Sequence, residues 1–484
     1  GYPLKNIPFS ATTGTKKQKD NILKLRINKI SKLTNTNPSK IKFIDHHKCH
    51  ALYGYYLNPF KKKKTIIVTS DGGGDQCYNS ISYFENGHYK LIHKGRDNLI
   101  GVIYEAVTLI LGMNPTRHPY KVMGLAPFAS EYYKKEARKI FLNSLKVKGL
   151  KFIRNKKFID HYDFFKKKLK HMRFDGVAGG LQDFVELRLI EWFKNISKHL
   201  NCKDFVFSGG VANNIKANKI LIDQKFVNSF FVPPGPGDES ICVGASFAGL
   251  LEKLGEKKII KYLKPIKNAY WGDDIDEKNF IKFKRNKLIQ NKFILKKDRN
   301  LSKTAKALSN GHVILFCNGK MEFGQRALGH RSILSDPSNI DQIQKINETI
   351  KMRDFWMPFT PSILSEDYNK YVINKKKINS NYMTVSFDST RLAQKHFKAA
   401  IHPSDLTIRP QIVTKETCKV YYNLIKQFKK ITGIGGLLNT SLNIHDKPIV
   451  RQPTDILKEI LKVKFHKINF IFVNGYLFEK KIKT

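Results

Sequence analysis

The stretch FIDHHKCHALYGYYLNPFKKKKTIIVTSDGGGD, residues 43–75, decides how this chain is read. His46 and His50 stand at i and i+4, so on a helix their imidazoles share one face and can bind one metal ion. Asp45 is placed to cap such a helix. A helix starting there sets both histidines near the positive end of its macrodipole, which favours the neutral imidazole that a metal needs. The β-branched run at residues 65–70 reads as a covered strand. At its end Asp71 meets Gly72, Gly73, Gly74 and Asp75, a carboxylate beside backbone that can approach phosphate oxygens. An ordinary helix and a plain turn would carry the same letters, so the histidine pair needs further ligands from elsewhere in the chain.

The 484 residues suit two or three domains with well-filled cores. The formal charge of +47 points to nucleic acid or an anionic surface. The excess is chiefly lysine scattered through nearly every segment, however, alongside abundant Asn and Ile, which is the mark of a compositional bias rather than of one binding face. Nucleic acid is therefore not the expected partner, and the run at residues 61–64 reads as a solvated loop. Six cysteines without a C-x-x-C pair or framework spacing suggest reduced thiols in a cytoplasmic protein. No apolar run is long enough to span a bilayer, and no signal-peptide pattern opens the chain. It starts at Gly1 without methionine, as expected of a fragment or a processed product.

Residues 21–33 carry a helical pattern. After the Asp71 loop, two alternating runs flank Asn86-Gly87 and form the clearest β-hairpin in the sequence. An acid-and-glycine loop within antiparallel strands, followed by a helix near residues 100–111, is the layout of the ribonuclease-H-like fold. A lysine-rich, helical region then extends to about residue 170. Residues 176–200 read as one long helix, leading into the strand end Ser208-Gly209-Gly210 and Asn213, a junction whose backbone N–H groups can face a nucleotide or simply make a tight turn. PPGPGDES supplies a second strand end with a carboxylate, Asp238, before a helix at residues 241–254. Asp71 and Asp238 with His46 and His50 make a two-His, two-Asp set suited to iron, manganese or zinc, although Asp238 could also cap the helix.

Residues 259–300 are charged and irregular and read as a linker between an N-terminal domain at 1–258 and a C-terminal domain at 301–484. The second domain opens with a helix at 301–309 and a strand at 312–317. It places Arg326 and Arg331 among glycines, Lys351 and Arg353 in an alternating extended stretch, then Arg409, and finally Ser441 and Asn443 after a buried segment. Arginines kept in glycine-rich settings of a lysine-biased chain suggest a phosphate pocket, because guanidinium forks bind oxyanions bidentately.

Nine motifs in order, DHHKCHALYGYY, SDGGGD, KVMGLA, FSGGVANN, PPGPGDES, FGQRALGHRSIL, KMRDFWMPFTPSIL, RPQ and LNTSLN, give the chain a resemblance to the ATP-dependent O-carbamoyltransferases that decorate nodulation factors and antibiotics. That resemblance implies an α/β protein with an N-terminal actin/hexokinase-like, ribonuclease-H-like (ASKHA) domain similar to threonylcarbamoyl transferases, and a C-terminal YrdC-like domain. It implies that the second domain makes carbamoyl-adenylate from carbamoyl phosphate and ATP with Mg2+, and that the first transfers the carbamoyl group to a hydroxyl of a sugar-like or other small-molecule acceptor. By position, His46, His50, Asp71 and Asp238 match the metal ligands, usually iron (Fe2+). Lys351, Arg353, Arg326 and Arg331 match the catalytic set, and Gly73, Gly74, Lys121, Ser208, Gly209, Gly210, Asn213, Arg409, Ser441 and Asn443 match positions that contact nucleotide or substrate. His47 and Asp75 are both open as the general base. A homodimer is one expected assembly.

The chain departs from the pattern in two places. The glycine-rich first strand pair usual in such proteins is missing, which puts transfer by this chain in question, and Tyr120 stands before Lys121 where a small residue is more usual. A tRNA-modifying threonylcarbamoyl transferase, and a truncated chain that only binds nucleotide or nucleic acid, are the competing readings.

Overall fold

A computed structural model describes residues 16–60, 62–155 and 161–481. The helices of the N-terminal half are α1 (Lys16–Thr34), α2 (His46–Leu57), α3 (Ile100–Ile110), α4 (Pro119–Leu125), α5 (Glu131–Ser144), α6 (His161–Lys168), α7 (Phe174–Leu200), α8 (Ile215–Ile222) and α9 (Ile241–Tyr262). The sheet of this half has five strands, β1 (Lys64–Gly74), β2 (Cys77–Glu85), β3 (His88–Gly95), β6 (Asp204–Ser208) and β7 (Ser229–Phe231). β4 (Leu145–Lys148) and β5 (Lys151–Arg154) form a separate hairpin. The sheet order is β3-β2-β1-β6-β7, with the first three strands antiparallel and β1, β6 and β7 parallel.

The period of two along β1 and β6 sorts the core onto both faces. Ile66, Val68, Phe205 and Phe207 face the helix layer that contains Trp192 and Phe193 of α7, while Ile67 and Val206 face Leu52 and Tyr53 of α2. The β2–β3 turn is the expected one: Asn86 and Gly87 both take positive φ, 51° and 87°, the geometry that matches strand twist in a two-residue hairpin. α2 lies unusually close to its neighbours. A Cβ on Gly54 would come within 2.6 Å of Val206 Cγ1, and one on Gly244 of α9 within 2.0 Å of Cys49 O. Both glycines are needed for the layers to meet.

The C-terminal half carries an eight-stranded mixed sheet. Its strands are β8 (Phe293–Lys297), β9 (Ile314–Cys317), β10 (Arg331–Ser335), β11 (Thr360–Leu364), β15 (Gln411–Val413), β16 (Gly436–Ser441), β17 (Phe470–Val473) and β18 (Tyr476–Lys480), in the order β15-β11-β16-β10-β9-β17-β18-β8. A small sheet of β12 (Val372–Ile373), β13 (Phe387–Ser389) and β14 (Thr407–Ile408) stands beside it.

Several local expectations change. The stretch 259–300 is not irregular throughout: α9 runs into it, Glu277–Lys284 and Lys287–Lys292 are helical, and β8 is the edge strand of the second sheet, paired with β18. Its charged side chains are those of solvent-facing helices and an edge strand. The regular part of α9 stops where expected, because Gly255 at φ 72° breaks the helical path. The lysine-rich region before residue 170 contains the β4–β5 hairpin as well as helices. Lys351 ends a turn of π-helix, Asn347–Lys351, and Met352 at φ 50° then reverses the chain, so Lys351 and Arg353 do not alternate on a strand. Lys61 lies outside the described residues. Among the described residues no helix is long and apolar enough to cross a membrane, and the six cysteines are free, with only Cys242 exposed.

Because the α2–α9 contact is backbone against backbone, Gly244→Ala is expected to destabilise the fold by about 1–3 kcal/mol. A urea-unfolding midpoint equal to that of the parent chain would contradict this packing.

Candidate active site

The start of α2 is fixed by two carboxylates. Asp45 caps it, its Oδ1 accepting from Lys48 N at 2.9 Å, and Asp75 Oδ2 accepts from His46 N at 2.8 Å. Such caps satisfy amide groups that a helix leaves open, each contributing about 1 kcal/mol. The helix then presents His46 and His50 on one face with their Nε2 atoms 3.2 Å apart. A register shift between Ser70 and Gly74 in β1 brings Asp71 to the same place, its Oδ2 2.9 Å from His50 Nε2 and 3.4 Å from His46 Nε2. Asp238 arrives from the 3-10 turn Asp238–Ser240, its Oδ1 3.6 and 3.7 Å from the same two nitrogens. It caps no helix by a side-chain bond: Gly237 holds the cap position of that turn and Ser240 that of α9.

Four donor atoms at these spacings fit one ion, since ligands bound at about 2.1 Å sit roughly 3.0–3.4 Å from one another in octahedral or tetrahedral shells. The outer contacts agree. Ser240 Oγ donates to Gly237 O at 2.7 Å, so it accepts from His50 Nδ1 at 3.1 Å, which leaves the lone pair of Nε2 directed at the cluster. The groups of the cluster also act on one another electrostatically. Burial opposes a charge on His50, but hydrogen bonds to Asp238 and Asp71 overcome it and raise its pKa to about 9. Burial would raise Asp71, yet His46 and His50 hold it far below the usual carboxylate range.

The glycines expected to line a phosphate loop make room for this cluster. Gly74 lies within β1, and a Cβ on it would reach 2.2 Å from the His46 ring, while Gly73 takes φ 148° beside it. Gly209, at φ 91°, lies against Ser70 O, and Gly210 against the Asp71 carboxylate, 2.9 Å from the place of its own missing Cβ. Gly209 N donates to Pro236 O at 2.8 Å, and Ser208 is buried behind it, so the segment locks Asp71 to the Asp238 turn. Neither candidate base is free in the cluster. His47 turns away to Thr69 Oγ1 at 2.8 Å, with its pKa pushed down to about 4 by burial, and Asp75 is engaged at the helix start. Sequence reading missed two nearby acids: Glu105 on α3, raised by burial and by Asp71 and Asp238, and Glu239, next to Asp238.

A second site lies between the halves, a cleft with ≈ 650 Å³ of open space lined by Tyr120, Met123 and Ile215 on one side and by Arg326, Arg353 and Arg409 on the other. Arg353 stacks over Phe359 with its guanidinium carbon 4.3 Å from the ring centre and donates to Pro358 O at 3.2 Å. Arg353 Nε and Arg409 Nε are sealed from solvent without partners. Among the described residues none of the three arginines pairs with a carboxylate. Burial lowers the pKa of each, to about 10 for Arg353 and well below the ordinary value for Arg409, and repulsion from neighbouring arginines adds to the shift of these two. Behind them Lys351 Nζ donates to Ser441 Oγ at 2.9 Å and to Asn443 Oδ1 at 2.5 Å, joining two motifs that lie ninety residues apart.

Two expected pocket residues do other work. Arg331 is completely buried, and its guanidinium donates to the carbonyls of Asn318, Gly319 and Arg451, so it braces the loops behind the cleft rather than lining it. Lys121 pairs with Asp354 across the boundary at 3.1 Å. His118 Nε2 meets Asp446 Oδ1 at 2.9 Å, and His402 Nε2 donates to Gly124 O at 3.0 Å. Residues 118–124 of the first half thus grip the loops that follow Arg353 and Asn443. Asn213 lies in a small chamber beyond Arg326.

Residues 8–247 match the family model of the carbamoyltransferase N-terminus, and residues 305–480 that of the carbamoyltransferase C-terminus. The chain belongs to the carbamoyltransferase family. An uncharacterised protein of Methanocaldococcus jannaschii is 31% identical over 91% of this carbamoyltransferase-family chain and 74% of its own length. The nodulation protein NolNO of Sinorhizobium fredii is 27% identical over 93% of this chain and 65% of its own, and nodulation protein NolO of Bradyrhizobium diazoefficiens 28% over 86% and 76%. Among solved structures, the Clostridium difficile activator of 2-hydroxyisocaproyl-CoA dehydratase with bound ADPNP overlaps 53% of this chain and 87% of its own at 16% identity and a TM-score of 0.28.

Elemental analysis is expected to find a transition metal in the purified chain and to find it lost in a His46→Ala/His50→Ala double variant; equal metal in both would end the ligand assignment. Gly74→Ala should displace the His46 ring and lower metal content too, with the chain still folded by circular dichroism.

Proposed function

We propose that this member of the carbamoyltransferase family converts carbamoyl phosphate and ATP into carbamoyl-adenylate and passes the carbamoyl group to a hydroxyl of a sugar-like small molecule. The observation that carries this reading is the set of three arginines, Arg326, Arg353 and Arg409, around one cleft, none of which forms an ion pair among the described residues. Burying such charges costs several kcal/mol each unless a counter-ion arrives, and carbamoyl phosphate and the triphosphate of ATP are the anions that this chemistry brings together. The strand order β3-β2-β1-β6-β7 agrees with a ribonuclease-H-like, actin/hexokinase-like first half, and we assign the adenylate-forming, YrdC-like role to the second.

In this reading carbamoyl phosphate loses inorganic phosphate to water and leaves carbamate. A carbamate oxygen attacks the α-phosphorus of ATP and expels pyrophosphate. Arg326, Arg353 and Arg409 offset the repulsion between the two anions and hold them in line, a combination of proximity and charge stabilisation. Lys351, held by Ser441 and Asn443, braces the pocket behind Arg353. The acceptor hydroxyl then bonds to the carbamoyl carbon, AMP departs, and the hydroxyl proton is released. His46, His50, Asp71 and Asp238 would hold the metal, Fe2+ by resemblance, with Mg2+ accompanying ATP. An ion there supplies Lewis-acid polarisation of the carbamoyl carbonyl.

Pyrophosphate release that requires both ATP and carbamoyl phosphate, without tRNA, is the expected activity. Arg353→Ala should reduce it by two orders of magnitude or more, since it removes a donor from a charge-stabilising pocket. Undiminished release would overturn the pocket assignment, and steep salt-dependent tRNA binding in place of this activity would favour a tRNA-modifying enzyme.

A further inference from the structure

On the face of the first sheet away from α2, three polar side chains converge on one glycine. Thr69 of β1 faces α2, where its hydroxyl bonds to both Ser80 of β2 and His47. Their neighbours Ser70 and Asn79, a cross-strand pair, therefore turn to the opposite face. On its other side Asn79 pairs with Gly95 of β3. Positions 93, 95 and 97 follow the period of two, so His93 and Asp97 flank a glycine that has no side chain of its own. A Cβ on Gly95 would stand 1.9 Å from Asp97 Oδ1, 2.7 Å from Asn79 Oδ1 and 2.7 Å from His93 Nε2. Only a residue without a Cβ lets these three atoms meet.

All three atoms are sealed from solvent and make no hydrogen bond among the described residues, and the amide nitrogen of the fully buried Asn79 is likewise without a partner. His93 Nε2 and Asp97 Oδ1 are 3.7 Å apart, too far for a hydrogen bond. Two donors bound to one ion at about 2.1–2.3 Å, and about 110° apart, stand at such a spacing. Asp97 is anchored by its other oxygen, Oδ2 accepting from Phe152 N of β5 at 2.6 Å, which holds Oδ1 toward the cluster. An imidazole nitrogen, a carboxylate oxygen and an amide oxygen are donors that zinc and neighbouring divalent ions take. Leaving such groups buried and unpartnered is costly. The side chains of His93 and Asp97 keep 14% and 23% of their surface exposed, which gives an ion a way in.

We propose that Asn79 Oδ1, His93 Nε2 and Asp97 Oδ1 form a second divalent-cation site, suited to Zn2+, that ties β2 and β3 to the turn leading into α3. It is separate from the cluster of His46, His50, Asp71 and Asp238 and does not depend on the carbamoyl-transfer reading. Asn98, next in that turn, donates from Nδ2 to Ser70 Oγ at 3.1 Å, so an ion here braces the strand that carries Asp71. With three protein ligands, one of them a neutral amide, the site holds its ion less tightly than the four-donor cluster, and it is read by adding metal rather than by what co-purifies. The test titrates Zn2+ into the whole chain carrying His46→Ala/His50→Ala, in which the first cluster has lost its histidines. One ion per chain is expected to bind, and His93→Ala or Asn79→Leu in that background should each weaken it on the order of 100-fold. X-ray absorption at the zinc edge of the loaded double variant, which needs no further substitution, should show a single imidazole among oxygen ligands. No binding, the case in which water alone satisfies the three atoms, would overturn the proposal. So would binding that neither substitution weakens, or a shell with two imidazoles, the signature of an ion held between His118 and His445 instead.

Discussion

Everything at the first site depends on how closely α2 is held. The helix is pressed between β6 on one side and α9 on the other, at distances that only glycine tolerates at Gly54 and Gly244. Its first turn is pinned by Asp45 and Asp75. With its axis and its start both fixed, His46 and His50 have little freedom, and the β1 bulge delivers Asp71 to them from the sheet while the Asp238 turn closes the opposite side. Four donors from three segments converge because each segment is braced by backbone contacts, and this is what lets weak individual interactions hold a precise constellation.

The second site obeys the opposite rule. Its arginines form no ion pair among the described residues, although acids are available nearby: Asp354 is drawn off by Lys121, and Asp446 by His118. The same contacts fasten the first half to the loops after Arg353 and Asn443, so neutralising acids away from the cleft and joining the halves are one arrangement. A chain of net charge +47 could easily surround such a cleft with lysines. Apart from Lys216, which is paired with Asp405, the cations that line the cleft are guanidiniums, which bind oxyanions in a fixed, forked geometry that an ammonium lacks.

What could be read in advance was whatever depends on neighbours in sequence. The i, i+4 histidines, the Asp45 cap, the Asn86-Gly87 turn and the long α7 helix follow from local geometry, and each is found where its letters place it. Asp71 and Asp238 were legible as acids that follow buried β runs, although β1 continues past Asp71 to Gly74 and Asp238 stands on a 3-10 turn beyond β7. Arg331 looked like Arg326, five residues before it, yet one points into a bed of carbonyls and the other borders the cleft, a difference set by loops from residues 318 and 451 that no local pattern encodes. The run at 259–300 was misread because helices that face solvent and an edge strand carry the same charged composition as a linker.

The sequence by itself determined the α/β class, the membership of the carbamoyltransferase family and the four residues, His46, His50, Asp71 and Asp238, that the fold brings together, because helical and strand periodicities and ordered motifs are properties of short stretches. Only the tertiary structure decided that the glycines of SDGGGD and FSGGVANN serve close packing around His46 and Asp71, and that Lys121 is spent on Asp354. Those outcomes depend on which surfaces meet, and a side chain's partner across such a meeting is fixed by the packing of whole layers rather than by its neighbours in the chain.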